Sequence, residues 1–174
     1  SKKMKLLLHT CCAPCSVFCI DTLRKEGIEP TLYWYNPNIH PYKEYEARRD
    51  CLKNYAKKVK VDAIFEDEYG LDEFCKNVSN NLNSRCIDYC YRLRKTFEYA
   101  KENGYDTVTT TLLYSIYQKH NFIKKLCEDY SKEYGIDFLY RDFRYGFWDG
   151  HDKAVEEGLY MQKYCGCVFR EEMR

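Results

Sequence analysis

Short apolar runs alternate with longer amphipathic stretches along this chain. Five runs rich in apolar or β-branched residues predict strands: Lys5–Thr10, Pro30–Tyr35, Val61–Phe65, Asp106–Thr111 and Phe138–Phe143. Between them, helical periodicity covers Ser16 to about Lys25, Glu44–Val59, Leu71–Val78, Arg85–Asn103, about Gln118 to Tyr134 and about Asp149–Glu157. Ser16 is the expected cap of the first helix, and Gly27, Gly104 and Gly135 are expected to stop three others. Tyr45, Cys51 and Tyr55 are the expected inner face of the second. Asn36-Pro37-Asn38 is a strong break after the second strand. Strands that alternate with helices imply an α/β fold with a parallel sheet covered on both faces. At 174 residues the chain is expected to form one domain with a core of its own.

In such sheets, sites form in the crevice beyond the carboxyl ends of the strands. Four segments are expected on that edge: Cys11–Ser16, Asn36–His40, Leu112–Ser115 and Arg144–Phe147. The charges nearly cancel, to +1, which excludes a general nucleic-acid coat protein but allows a local basic patch. Eighteen tyrosines supply rings for the core or for stacking. Met4–Leu8 is a short apolar start without a cleavage region, and no apolar run approaches the ~20 residues of a membrane span. A cytoplasmic location is therefore expected.

In a reducing compartment, clustered cysteines bind metal or do redox chemistry more often than they form disulfides. Seven of the eleven cysteines cluster: Cys11, Cys12 and Cys15 in HTCCAPCS, Cys86 and Cys90 in RCIDYCYRLR, and Cys165 and Cys167 in YCGC. Seven thiols exceed the four ligands of a structural zinc. They suffice for an iron–sulfur cluster plus a second, partly open metal site. The first group lies where a strand turns into a helix, whose N-terminus lowers thiol pKa values. Adjacent residues of an extended segment point to opposite sides, so Cys11 and Cys12 are expected to serve different metals. Cys86 and Cys90 share one helix face. Gly166 lets Cys165 and Cys167 curl toward one centre. Cys19, Cys51, Cys75 and Cys127 are expected to be structural. His9 is expected in the core or behind a ligand. His120 is a candidate acid or phosphate contact, and Asp142 is expected at a strand end facing the active edge.

The stretches LLLHTCCAPCS, YNPNIHPYKEYEAR, SRCIDYCYRLR, TTTLLYSIYQKHN, FLYRDFR and GLYMQKYCGCVF together resemble the cobalamin-independent epoxyqueuosine reductases, the QueH family. They run from Leu6 to Phe169. The resemblance implies a Rossmann-like fold related to adenine-nucleotide α-hydrolase (HUP) domains. It implies the last step of queuosine synthesis, reduction of the epoxide of epoxyqueuosine in the wobble base of tRNAs with GUN anticodons. It also implies a [4Fe-4S] cluster beside a mononuclear iron, an electron donor that the sequence does not name, and no nucleotide cofactor. Some members carry an aspartate where this chain has Cys15, a change of donor atom in the ligand set of the single iron. With the opposed directions of adjacent residues, this assigns Cys12, Cys86, Cys90 and Cys167 to the cluster. Cys11, Cys15 and Cys165 go to the iron, with Cys11 and Cys15 at the reaction. Lys119, Lys124, Arg141 and Arg144 are candidate tRNA contacts, and Tyr114 and Tyr117 are candidates to stack on a base.

Two other classes compete at this level. A tRNA sulfur-transfer enzyme or nucleotide-dependent ligase would need a Gly-rich phosphate cradle after the first strand, where this chain has cysteine, alanine and proline. A non-catalytic zinc-binding module would be colourless.

Overall fold

The computed structural model describes residues 3–39, 41–67 and 84–161, with the side chains of 84–87 excluded. Its strands are β1 Leu6–His9, β2 Pro30–Trp34, β3 Ala63–Phe65, β4 Thr107–Thr110 and β5 Asp137–Phe138. The helices are α1 Ala13–Lys25, α2 Tyr42–Val59, α3 Ser84–Glu102, α4 His120–Tyr134 and α5 Phe147–Glu156. All strands are parallel, in the order β3-β2-β1-β4-β5. This is a Rossmann-like sheet, and chain order reverses between β1 and β4. Every residue of β1 and β4 is buried. That explains why β1 reads as a continuous apolar run, since a central parallel strand has no face in water. Helix α1 packs against α2 and α5, whereas α3 and α4 pack against each other and α3 against β1 and β4.

Several expected boundaries move, for visible reasons. Helix α1 starts at Ala13, not Ser16. Cys12 is its extended N-cap (φ −168°, ψ 165°), and Pro14 sits in the first turn, where a missing N–H costs nothing. Ser16 Oγ instead donates to Ala13 O at 2.7 Å. The fifth strand pairs only through Asp137 and Phe138. Its expected continuation to Phe143 fails because the Asp142 side chain accepts from the Arg144 N–H and caps a 3-10 turn over Phe143–Gly146. The fourth strand likewise gives way to a 3-10 turn, Thr111–Leu113, capped by Thr110. Tyr45 and Tyr55 are buried as expected and Cys51 is half-buried. The helix expected over Leu71–Val78 lies outside the described residues.

Two glycines bring α5 close. A Cβ on Gly146 would lie 2.2 Å from the Phe18 ring, and one on Gly150 would lie 2.6 Å from Tyr114 Oη. Their bare backbones let α5 lie on α1, which carries Phe147 and Trp148 to the sheet edge.

Candidate metal centre and its crevice

β1 ends at His9, and the chain bends at Cys11 before entering α1. The Cys11 N–H donates to Thr111 Oγ1 at 3.2 Å, tying the turn after β1 to the turn after β4. Asn36 holds the same turn from β2's side. Its Nδ2 donates to Thr10 O at 3.0 Å, and its Oδ1 accepts from Arg92 Nη1 at 3.1 Å. The other end of Arg92 reaches Asp88 at 2.6 Å. These bonds converge on three thiols. Cys11 Sγ lies 3.9 Å from Cys12 Sγ, which lies 3.0 Å from Cys15 Sγ, and all three fall within 4.8 Å of one another. Adjacent side chains were expected to diverge here. They converge because Cys11 sits in a bend rather than in strand, so the division of ligands built on opposed directions loses its basis.

The sulfur spacing suits a metal. Ligands about 2.3 Å from a tetrahedral ion stand about 3.8 Å apart. The trio supplies three soft thiolate donors at a helix N-terminus, where negative charge is favoured. Its protons are shared unevenly. Hydrogen bonds from Cys12 and then Cys15 hold the Cys11 thiol well below its ordinary value; burial opposes them, and Thr111 and Arg92 help. The Cys11 thiolate in turn pushes Cys12 and Cys15 up. His9, bonded through Nδ1 to Thr110 Oγ1 at 2.9 Å, is driven down to about 3 by burial and then by Arg92, so it is neutral.

Cys11 and Cys15 of the trio line a cavity of about 450 Å³. It is lined by Cys11 and Cys15, by the buried polar residues Asn38, Arg48 and Arg92, and by the rings of Tyr114, Tyr117, Phe147 and Trp148. Tyr114 Oη donates to Phe147 O at 2.8 Å, and the Phe147 ring meets Tyr114, Tyr117 and Trp148. All four segments expected on this edge contribute.

Tyr114 and Tyr117 line the cavity, whereas several other candidates among the described residues do not. Cys90 is half-buried on α3, where its carbonyl accepts from Tyr130 Oη at 3.4 Å, and it does not line the cavity. Cys86 is in the first turn of α3, with its side chain outside the described residues, as are Cys165 and Cys167. Cys19 and Cys127 are fully buried in the core, and Cys75 is not described. His120 is buried at the start of α4, its Nε2 2.8 Å from Tyr140 Oη and 3.9 Å from Asp142 Oδ1. Burial, then Arg144, lowers its pKa. Asp142 is bound to Arg144 at 2.7 Å and held at about 2, chiefly by that bond. Arg141 pairs with Glu26 at 2.8 Å. Glu26 is the C-cap of α1, about 20 Å of helix away from the cysteines at its other end. Lys124 lies 4.4 Å over the Tyr140 ring, and Lys119 is exposed at the N-cap of α4. None of His120, Asp142, Lys119, Lys124, Arg141 or Arg144 lines the cavity.

Sequence reasoning missed Asn38, Arg48, Arg92, Trp148 and His151, all cavity-lining. Two had a signal. Arg48 falls on the apolar stripe of Tyr45, Leu52 and Tyr55, and Arg92 falls on that of Tyr89, Leu93 and Thr96. A charge on an inward face points to a partner or a ligand.

Comparison with known proteins agrees along nearly the whole chain. Residues 6–173 match the model of the family described as epoxyqueuosine reductase QueH. Epoxyqueuosine reductase QueH of Dehalococcoides mccartyi is 37% identical over 171 residues, covering 98% of this chain and 94% of its own. The Haemophilus influenzae protein of that name is 36% identical, covering 95% of this chain and 71% of its own. That of Thermotoga maritima is 30% identical, covering 94% and 88%.

Proposed function

We propose, for a chain that belongs to the epoxyqueuosine reductase QueH family, that the crevice beyond β1 and β4 is where the epoxide oxygen of epoxyqueuosine is removed. The chain is an oxidoreductase of queuosine synthesis. The substrate on this reading is the wobble nucleotide of a tRNA with a GUN anticodon, handled in the cytoplasm and served by a separate electron donor. In the reaction both C–O bonds of the epoxide break and an alkene forms. Two electrons and two protons enter, and the oxygen leaves as water.

The observation that carries this reading is the convergence of three sulfurs, two of them lining a cavity that aromatic rings also line. The other clustered thiols, Cys86, Cys90, Cys165 and Cys167, complete the proposed ligand set. A [4Fe-4S] cluster beside a mononuclear iron, when bound, supplies one-electron transfer and Lewis acidity. The chain's own residues do the rest. Cys11 gives a thiolate whose charge the α1 N-terminus and Arg92 favour. Tyr114 and Phe147 carry the aromatic wall on which a flat base stacks. His120, held to Tyr140, steadies the start of α4. The turn after β1 holds cysteines where an ATP-using enzyme needs a glycine cradle, which disfavours the ligase class.

The test is anaerobic reconstitution with iron and sulfide, then incubation with epoxyqueuosine-containing tRNA and a strong reductant. Nucleoside mass spectrometry is expected to show queuosine. A colourless protein that binds only zinc and leaves the epoxide intact would refute the reading.

A further inference from the structure

The loop after β2 carries two asparagines of opposite character. Asn36 is bonded at both ends of its side chain, to Thr10 and Arg92. Asn38 is 2% exposed, lines the cavity with Cys11 and Cys15, and its Oδ1 has no hydrogen-bond partner among the described residues. Arg92, which also lines the cavity, has a buried Nε–H with no acceptor among the described residues. A buried polar atom left unpaired disfavours the empty protein, and such an atom is tolerated where a ligand completes it. Among the described residues, the cavity lining therefore lacks one donor and one acceptor.

The substrate of the proposed function carries a vicinal diol on the ring that bears the epoxide. Hydroxyls both donate and accept, so a diol satisfies both unpaired atoms. An ammonium would answer only Asn38, and a carbonyl only Arg92. The epoxide must lie by the cysteines to be reduced, which brings the diol into the cavity that Cys11 and Cys15 line with Asn38. We propose that Asn38 is a substrate-binding residue that accepts a hydrogen bond from a hydroxyl of the epoxide-bearing ring. It would then select this substrate over tRNA whose 7-aminomethyl-7-deazaguanine lacks the ring. The inference rests on the proposed function.

The test compares binding of reconstituted wild type, Asn38→Leu and Asn38→Asp to ring-bearing and ringless tRNA, with iron and sulfide content measured in parallel. Wild type is expected to prefer the ring-bearing tRNA. Asn38→Leu should lower that preference by about 10-fold while leaving ringless binding unchanged. Asn38→Asp, which keeps an acceptor oxygen, should restore most of it. Asn38→Ala carries the same test if leucine disturbs iron loading. An equal loss for both tRNAs, or an intact preference in the leucine and alanine variants of an active enzyme, overturns the inference alone. A wild type that neither reduces the epoxide nor prefers the ring overturns the proposed function with it.

Discussion

On one side of the crevice, Arg92 grips Asp88 and Asn36, Asn36 grips Thr10, and Thr111 holds the Cys11 amide. On the other, Tyr117 and Trp148 stand 56% and 60% exposed above Tyr114 and Phe147. The first wall is a buried polar network, in which each bond depends on the next. The second is ring on ring, with its outer tier in water. The difference assigns tasks. Ligands that must meet within tenths of an ångström sit on strand ends and a helix start, locked from several sides. A surface that must receive a large flexible substrate sits on a loop and a short helix.

The sharpest way to break the comparison is Arg92→Met. It removes the bonds from Arg92 to the half-buried Asp88 and to Asn36, and should cost about 3 kcal/mol in urea unfolding. Arg92→Lys should recover only part of this, because an ammonium cannot span both partners. Next comes Gly146→Ala. Its methyl meets the Phe18 ring at 2.2 Å, so about 1–3 kcal/mol should be lost in thermal unfolding as α5 is pushed from α1.

A smaller effect lies beyond the aromatic wall, at Asp142 and Arg144. The folded carboxyl titrates at about 2 against an ordinary 3.8, so the folded state binds the proton more weakly. The pair's contribution is present above the ordinary value and is lost as pH falls through about 2. Because both side chains are about 40% exposed, solvent screens it to under about 1 kcal/mol. Asp142→Asn should therefore destabilise slightly at pH 7 and progressively less as pH falls toward 2, by chemical denaturation across pH. The smallest stability effect is expected from Trp148→Ala, within about 0.5 kcal/mol of wild type. It should nonetheless weaken tRNA binding by about 5- to 10-fold, read by fluorescence anisotropy, as expected when one base loses its stacking partner.

The periodic elements were legible because their burial follows local pattern: Leu6–Leu8 in a central strand, Tyr45 and Tyr55 on one helix face. The end of the fifth strand was not, because Asp142 stops it through a side-chain cap that alternation does not encode. The start of α1 was missed because a cysteine takes the place where serine or aspartate usually caps. The cysteines of the centre were visible as residues, but their convergence depends on the bend at Cys11, fixed by Thr111 one hundred positions away. Arg141 was read as a site cation by position alone; its partner, Glu26, comes from a distant helix end. Arg48 and Arg92 were hidden by the habit of reading charge as solvated surface.

The central claim is that Cys11, Cys12 and Cys15 form one metal-binding end of β1. The most direct measurement is iron and sulfide per chain, with the visible absorption spectrum, for anaerobically reconstituted wild type and for Cys11→Ala, Cys12→Ala and Cys15→Ala. The account predicts that each variant keeps its far-ultraviolet circular dichroism but binds less iron and loses visible absorption. Iron content and spectrum equal to wild type in all three variants would contradict it.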